Sequence, residues 1–302
     1  MIKRLLYYIR TTYNPLLTLP ASLLSFYGLY FSGQIFFGRN TLTVTIPSVL
    51  GMLSLLFFLF FLRVSDEIKD YETDKILFPQ RPVPSGKVLL GDVRVLWWVT
   101  LVLLILFNAT PLNFNPFFGV ILLYGILMYF YFFLGKTISK SLILALLTHN
   151  PVMALFQVYV MLLLGGEFGL AGLFPQALPL CLLFYLPGLI WELGRKIRTR
   201  EEETSYETYS KIFGRPLACF LPLLCSGLMF ALLFYFGPSL SLSLWLITAL
   251  CCTFALLVLV FLLFLAGALK RGVTLKHAVQ VYLLVFNGGL LADLIFVHGI
   301  RF

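Results

Sequence analysis

The chain has 302 residues, of which 60% are hydrophobic and 12% charged, and its mean hydropathy is +0.97. That little polar surface cannot cover a water-soluble globule, which leaves an integral membrane protein. The net charge of +9 needs no nucleic acid to explain it, because an anionic membrane leaflet attracts the same sign.

Apolar runs of about 20 residues bounded by charge, Pro or Gly mark transmembrane helices. They predict nine: 15–37, 43–65, 88–112, 116–135, 141–165, 173–195, 215–236, 240–267 and 276–298, in one polytopic domain over 1–302. Lys3 and Arg4 precede the first run, but Arg10 breaks the apolar stretch after them and no small-residue cleavage site follows, so the first span is expected to be mature structure rather than a signal peptide. An odd number of spans puts the termini on opposite sides.

Of the 22 Lys and Arg residues, all but Arg39 and Arg301 fall at the N-terminus or after the second, fourth, sixth and eighth spans, among them Lys270. The positive-inside rule makes that face cytoplasmic, with the N-terminus inside, and the expected location is a bacterial inner membrane. Apart from Glu167 and Asp293, every acidic residue lies on the same face. The polar chemistry is therefore expected at one membrane surface.

Most of that polarity sits in two loops four spans apart, "DEIKDYETDKILFPQRPVPSGK" after the second helix and "WELGRKIRTREEETSYETYSK" after the sixth. This arrangement hints at two related halves over one cavity, although no residue-level repeat supports it. In the first loop Asp66, Asp70 and Asp74 recur every fourth residue. In a helix that step turns about 40° and rises roughly 6 Å, so the three carboxylates share a face. Mg²⁺ prefers octahedral oxygen and is usually held by one or two carboxylates, with water and substrate phosphate completing the shell. The competing reading is a solvated helix end paired internally through Lys69 and Lys75. Arg81, in a turn stiffened by two prolines, weighs against it, because a cation beside an acidic cluster suits a bound diphosphate.

The combination "DEIKDYETD" then "RPVPSG" after a second membrane helix resembles the UbiA superfamily of intramembrane prenyltransferases, whose first motif reads N/D-x-x-x-D-x-x-x-D followed by R-P; "YIRTTYNPLLTLP" is similar to that family's approach to its first helix. The resemblance implies an all-α bundle of nine spans around a central cavity opening to the cytoplasm. It implies a Mg²⁺-dependent transfer of a prenyl group from a prenyl diphosphate to a lipophilic acceptor, expected to be aromatic. Asp70 and Asp74 match the family's metal-binding aspartates, and Asp66 takes a place often held by Asn. Tyr131 and Lys136 in "YFFLGK" resemble its Tyr and Lys after helix four, one residue further apart than the usual Y-x-x-x-K, and Arg10 corresponds to an Arg before the first helix.

The second motif departs from the family. In place of a run of aspartates stand Glu192, Arg195, Lys196 and, later, Glu201, Glu202 and Glu203. Spacing alone allows a plain helical ion pair between Glu192 and Lys196. By the resemblance, Glu192, with Glu201 from the later trio, is assigned to a second metal, and Arg195 or Lys196 to the diphosphate. Counting does not decide which of Glu201, Glu202 and Glu203 faces the site.

Remaining polar groups read as structural. Asn150 is expected to satisfy the carbonyl freed by Pro151, Asp293 to lie near the outer end of the last helix within reach of water, and the five cysteines, without a CxxC, to be small core residues. Three scattered histidines have no metal-ligand spacing. The expected partners are a prenyl diphosphate, a lipophilic acceptor and membrane lipid, with no nucleic acid and no obligatory protein partner. The alternatives are a membrane terpene cyclase acting on the prenyl diphosphate alone and a non-enzymatic transporter or binding protein. A CDP-alcohol phosphotransferase is excluded because the D-G-x-x-A-R pattern is missing.

Overall fold

The computed structural model describes residues 1–110, 112–169, 174–203, 207–269 and 271–302, so Lys270 and the first residue of the expected sixth span lie outside the described residues. In chain order the elements are α1 (Ile2–Thr12), α2 (Pro15–Phe36), β1 (Leu42–Thr43), α3 (Ile46–Lys69), α4 (Tyr71–Leu77), α5 (Leu90–Asn108), β2 (Ala109–Thr110), β3 (Asn113–Phe114), α6 (Phe117–Tyr129), α7 (Gly135–Ile138), α8 (Leu142–His149), α9 (Pro151–Phe168), α10 (Phe174–Gly194), α11 (Tyr209–Leu240), α12 (Leu244–Leu265), α13 (Val273–His298) and β4 (Ile300–Arg301). Short 3-10 turns cover Tyr131–Phe133 and Arg200–Glu202.

Among the described residues eight stretches are long and apolar enough to cross a membrane, with α8 and α9 counted as one, Leu142–Phe168. They coincide with eight of the nine expected spans. The fourth, expected over 116–135, holds only the 13-residue α6. Its end is set by Tyr131, Phe132 and Phe133, which take φ of 49°, 51° and 61° and so leave the right-handed helix.

Contacts group the chain into two compact units interleaved in sequence: Met1–Phe26 with Thr45–Ser139, and Tyr27–Val44 with Lys140–Phe302. In the first unit α3 packs on α5 and α6. Its start is fixed by a capping box in which Thr45 Oγ1 accepts from Ser48 N–H and Ser48 Oγ from Thr45 N–H. Phe58, Phe61, Phe118 and Ile121 are buried along this seam, and Asn108 donates to Ser54 Oγ across it at 2.8 Å. α1 was not anticipated as a helix. Tyr8 buries its inner face, and Arg4 grips Asp92 of α5 through two nitrogens at 2.5 and 3.1 Å.

In the second unit α10 packs against α9, α11 and α13, and α12 against α13. Gln34 both donates to and accepts from the backbone of Thr43 at 2.8 Å, and β1 pairs in parallel with β4. Asn150 lies at the α8–α9 junction, and its buried Oδ1 has no hydrogen-bond partner among the described residues. Two expectations change here. Asp293 is buried rather than wet, and its Oδ2 accepts the Ser243 N–H at the start of α12. Cys251 and Cys252 are exposed, so only part of the cysteine set is core.

Gly272, which begins α13, packs where a Cβ would run into the Ile197 carbonyl oxygen and come within 3.2 Å of Arg198 Cα, while its N–H donates to Glu202 Oε2 at 2.8 Å. Backbone cannot retreat as a side-chain tip can. Gly272→Ala should therefore destabilise the protein by about 1–3 kcal/mol. Gly166→Ala, in α9 with nothing within 4 Å of the added methyl, should be neutral or slightly stabilising. Thermal unfolding of the two variants side by side checks the contrast.

Candidate functional site

The acidic stretch leaves α3 without losing the helical ladder. Asp70 N–H donates to the Asp66 carbonyl at 2.9 Å, Asp74 N–H to the Asp70 carbonyl at 2.8 Å and Phe78 N–H to the Asp74 carbonyl at 2.8 Å. Asp70 itself marks a slight break, with φ −97° and ψ 6°, where α3 passes into α4. The three aspartates therefore stand on consecutive turns, and the charges of Asp66 and Asp74 both act on Asp70.

Each carboxylate has its own partner. Asp66 Oδ1 meets Lys69 Nζ at 2.9 Å, Asp70 Oδ1 accepts from the Tyr131 hydroxyl, and Asp74 Oδ2 accepts from Arg81 at 2.7 Å. Burial graduates along the ladder, from 46% side-chain exposure at Asp66 to 10% at Asp74. Burial pushes the Asp70 carboxyl above the ordinary carboxylate range, against the lowering effect of the Tyr131 hydrogen bond and Lys69. The Tyr131 hydroxyl is the donor in its contact with Asp70.

The "RPVPSG" loop places Arg81 by plugging itself into the core. Val83 and Val88 are buried in one cluster with Tyr8, Phe60, Val64, Val93 and Leu96. The Ser85 and Gly86 N–H groups turn back to the carbonyls of Arg81 and Val83, with Gly86 at φ 77°. The Arg81 guanidinium then lies 3.9 Å over the Phe78 ring and reaches Asp74.

Tyr131 arrives by a different route. Three consecutive side-chain-bearing residues in the left-handed region cost of order 1–2 kcal/mol each, and that turn swings the Tyr131 hydroxyl back onto Asp70. Lys69 fills the angle between them: its side chain is 8% exposed and its ammonium lies 4.5 Å over the Tyr131 ring. Of the first-unit residues singled out in the sequence, Asp66, Asp70, Asp74, Arg81 and Tyr131 are thus brought together. Lys136, on α7, and Arg10, on α1, are exposed and form no ion pair among the described residues. Lys69 completes the cluster although it was read only as a neutralising neighbour; its position three residues after Asp66 was the available signal.

The donor set fits a hard divalent cation in a particular way. Among the described residues no three His, Cys, Asp or Glu side chains converge as a closed metal cage. Oxygen ligands on successive turns instead offer a partial shell, the arrangement Mg²⁺ uses when a phosphate supplies the remaining oxygens.

The second acidic stretch belongs to the other unit. Glu192 Oε2 meets Arg195 at 2.6 Å and Oε1 meets Lys196 at 2.9 Å, so the carboxylate engages cations one turn on within its own segment. The structure also separates the later glutamates. Glu202 accepts the backbone N–H groups of Thr199 and Gly272, and Glu203 accepts the hydroxyls of Thr208 and Ser210. Glu201 is exposed, and a hydrogen bond from its own backbone N–H holds its carboxyl below the usual range. Thr204, Ser205 and Tyr206 lie outside the described residues.

No family model and no curated protein matches the chain. Solved structures do. A structure of digeranylgeranylglyceryl phosphate synthase superposes with a TM-score of 0.58 at 16% identity, covering 97% of this chain and 99% of that one. The apo structure of a UbiA homolog from Aeropyrum pernix K1 superposes with a TM-score of 0.64 at 13% identity, covering 92% of this chain and 98% of that one. The chain has the fold of this UbiA homolog and of the synthase.

At such identities the likeness fixes the UbiA-type backbone and leaves the chemistry to the side chains. The carboxylate ladder then stands at the end of a membrane helix of that fold, with Arg81 and Tyr131 on it. The departure at the second stretch also has a structural expression, since a single glutamate there is engaged by two neighbouring cations.

Proposed function

We propose that this protein is a Mg²⁺-dependent prenyltransferase that moves a prenyl group from a prenyl diphosphate to a lipophilic, aromatic acceptor within the membrane. The observation that carries the reading is the ladder of Asp66, Asp70 and Asp74 on successive turns, with Arg81 and Tyr131 fixed against two of its steps. Mg²⁺ held by these carboxylates would bind the diphosphate oxygens and offset their charge. Arg81 and Lys69 add positive charge where the leaving diphosphate gathers negative charge. Tyr131 orients Asp70 by donating a hydrogen bond from an uncharged hydroxyl. Glu192, with Arg195 and Lys196, is the candidate second anchor, with Glu201 the exposed member of the later trio.

The location of the acids at a helix end suits a substrate with two natures. A polyprenyl tail is as apolar as the bilayer and a diphosphate is not, so a site at the membrane surface lets each remain in its own solvent. The basic loops support a cytoplasmic side for that surface. The test is incubation of the purified protein in bilayers with prenyl diphosphates of several lengths and candidate aromatic acceptors. The expected result is diphosphate release that needs Mg²⁺ and an acceptor and yields a prenylated acceptor. Release with a hydrocarbon product and no acceptor would replace transfer by cyclisation, and no release under any condition would overturn the proposal.

A further inference from the structure

α6 is too short for its bilayer. Its 13 residues span about 20 Å at 1.5 Å per residue, against a hydrocarbon core of about 30 Å. At its start Asn113 and Asn115 are buried in the turn that precedes it, alternating with exposed Leu112 and Phe114. At its other end the sequence stays apolar for five more residues, Phe130–Leu134, before Gly135 and Lys136. The longer uninterrupted apolar extension is thus on the Phe130 side, in chain that is not α-helical.

That segment has a definite shape. The left-handed turn of Tyr131, Phe132 and Phe133, closed by Phe133 N–H to the Phe130 carbonyl and Leu134 N–H to the Tyr131 carbonyl, both at 2.9 Å, sorts its side chains to opposite sides. Tyr131 points to Asp70, and Phe132 packs edge-on against Tyr124. Phe130 and Phe133 stack on each other with ring planes 12° apart, and remain 49% and 77% exposed, next to Leu134 at 61%. Lys136, one turn further, is exposed as well. Two parallel aromatic rings, a leucine and a lysine at the end of a short membrane helix match the composition of the membrane–water boundary, where amphipathic and aromatic groups settle and lysine reaches the headgroups.

We propose that Phe130 and Phe133 form a wedge seated in the headgroup–acyl boundary of the lipid bilayer, and that this lipid contact holds the left-handed turn that keeps Tyr131 on Asp70. Three residues with side chains do not stay in the left-handed region without outside support. The Asp70 hydrogen bond secures the inner side of the turn, and the lipid secures the outer side. The membrane thereby acts as a structural partner of the site, through a contact made by residues that touch no carboxylate.

Two measurements on the full chain in lipid nanodiscs test this, and neither depends on turnover or on the proposed reaction. With 4-fluorophenylalanine placed at position 133, a lipid-borne nitroxide should relax the fluorine signal more strongly than an aqueous gadolinium chelate; the reverse order would show the ring in water and overturn the seat. Hydrogen exchange over residues 129–139 should rise roughly tenfold in Phe130→Ser/Phe133→Ser, while α3 keeps its protection. Phe130→Leu/Phe133→Leu, which preserves apolar contact, should exchange like the natural protein. Unchanged exchange in the serine pair would overturn the coupling between the lipid contact and the turn.

Discussion

Asp70→Ala and Asp74→Ala are each expected to abolish Mg²⁺-dependent diphosphate release, with helical content and thermal unfolding close to those of the natural protein. The separation is expected because the two aspartates contribute to the fold through their backbone, whose N–H to carbonyl ladder at 2.8–2.9 Å is indifferent to the side chain. Their carboxylates contribute to the site. Asp70 is the middle rung, and its removal leaves Asp66 and Asp74 two turns apart, roughly 12 Å along the helix axis, too far to share one cation. Asp74 is the anchor of Arg81, so Asp74→Ala also releases a guanidinium that the loop core and the Phe78 ring had aimed. Losing a group that stabilises developing charge slows catalysis by about 10²–10³-fold, and each variant here loses a charge together with its partner's position. Asp66→Ala should cost less, because Asp66 is nearly half exposed and is paired to Lys69 within its own helix. Rates of diphosphate release for the three variants at saturating Mg²⁺ check the order. Normal turnover in either Asp70→Ala or Asp74→Ala would remove the carboxylate ladder from the mechanism.

The parts of this molecule that could be read from sequence are those where one physical signal dominates. Length and hydropathy locate the long spans because hydrocarbon thickness sets a simple ruler. The four-residue recurrence of Asp66, Asp70 and Asp74 survives in three dimensions because the helical ladder continues through the small break at Asp70. The unread parts are those decided by tertiary contact. Nothing in "YFFL" announces a left-handed turn, since it contains neither Gly nor Asn, so the sequence reads as helix through to residue 135 although the α-helix ends at Tyr129. The same turn steers Tyr131 to Asp70, while Lys136 falls on α7 and forms no ion pair among the described residues. Glu202 and Glu203 look equivalent to Glu201 in sequence, but Gly272, Thr208 and Ser210 claim them. α1 was missed because its apolar positions are interleaved with Lys3, Arg4 and Arg10, as suits a helix with one side on protein.

The largest loss of stability is expected next to the ladder, not in it. Glu67 lies between Asp66 and Asp70 in sequence but turns inward, where it is 3% exposed and forms an ion pair with Arg63 one turn earlier. Tyr8 of α1 is buried within the electrostatic reach of both, and its hydroxyl makes no hydrogen bond among the described residues. Arg63→Ala leaves a carboxylate in an apolar core with its counter-ion gone, a change that costs about 3–5 kcal/mol when the pair is fully buried. Arg63 is one-third exposed, so water relieves part of this and a loss near 3 kcal/mol is expected. Glu67→Gln should cost less, because the amide keeps the volume and the remaining cation can reach water. Arg63→Met/Glu67→Gln removes both charges together and should recover much of the stability lost in Arg63→Ala. Thermal unfolding of the three variants in one detergent gives the coupling directly. If Arg63→Ala is no less stable than Glu67→Gln, the buried pair does not hold this end of α3, and the rigidity of the neighbouring ladder must come from the loop core around Val83 and Val88 alone.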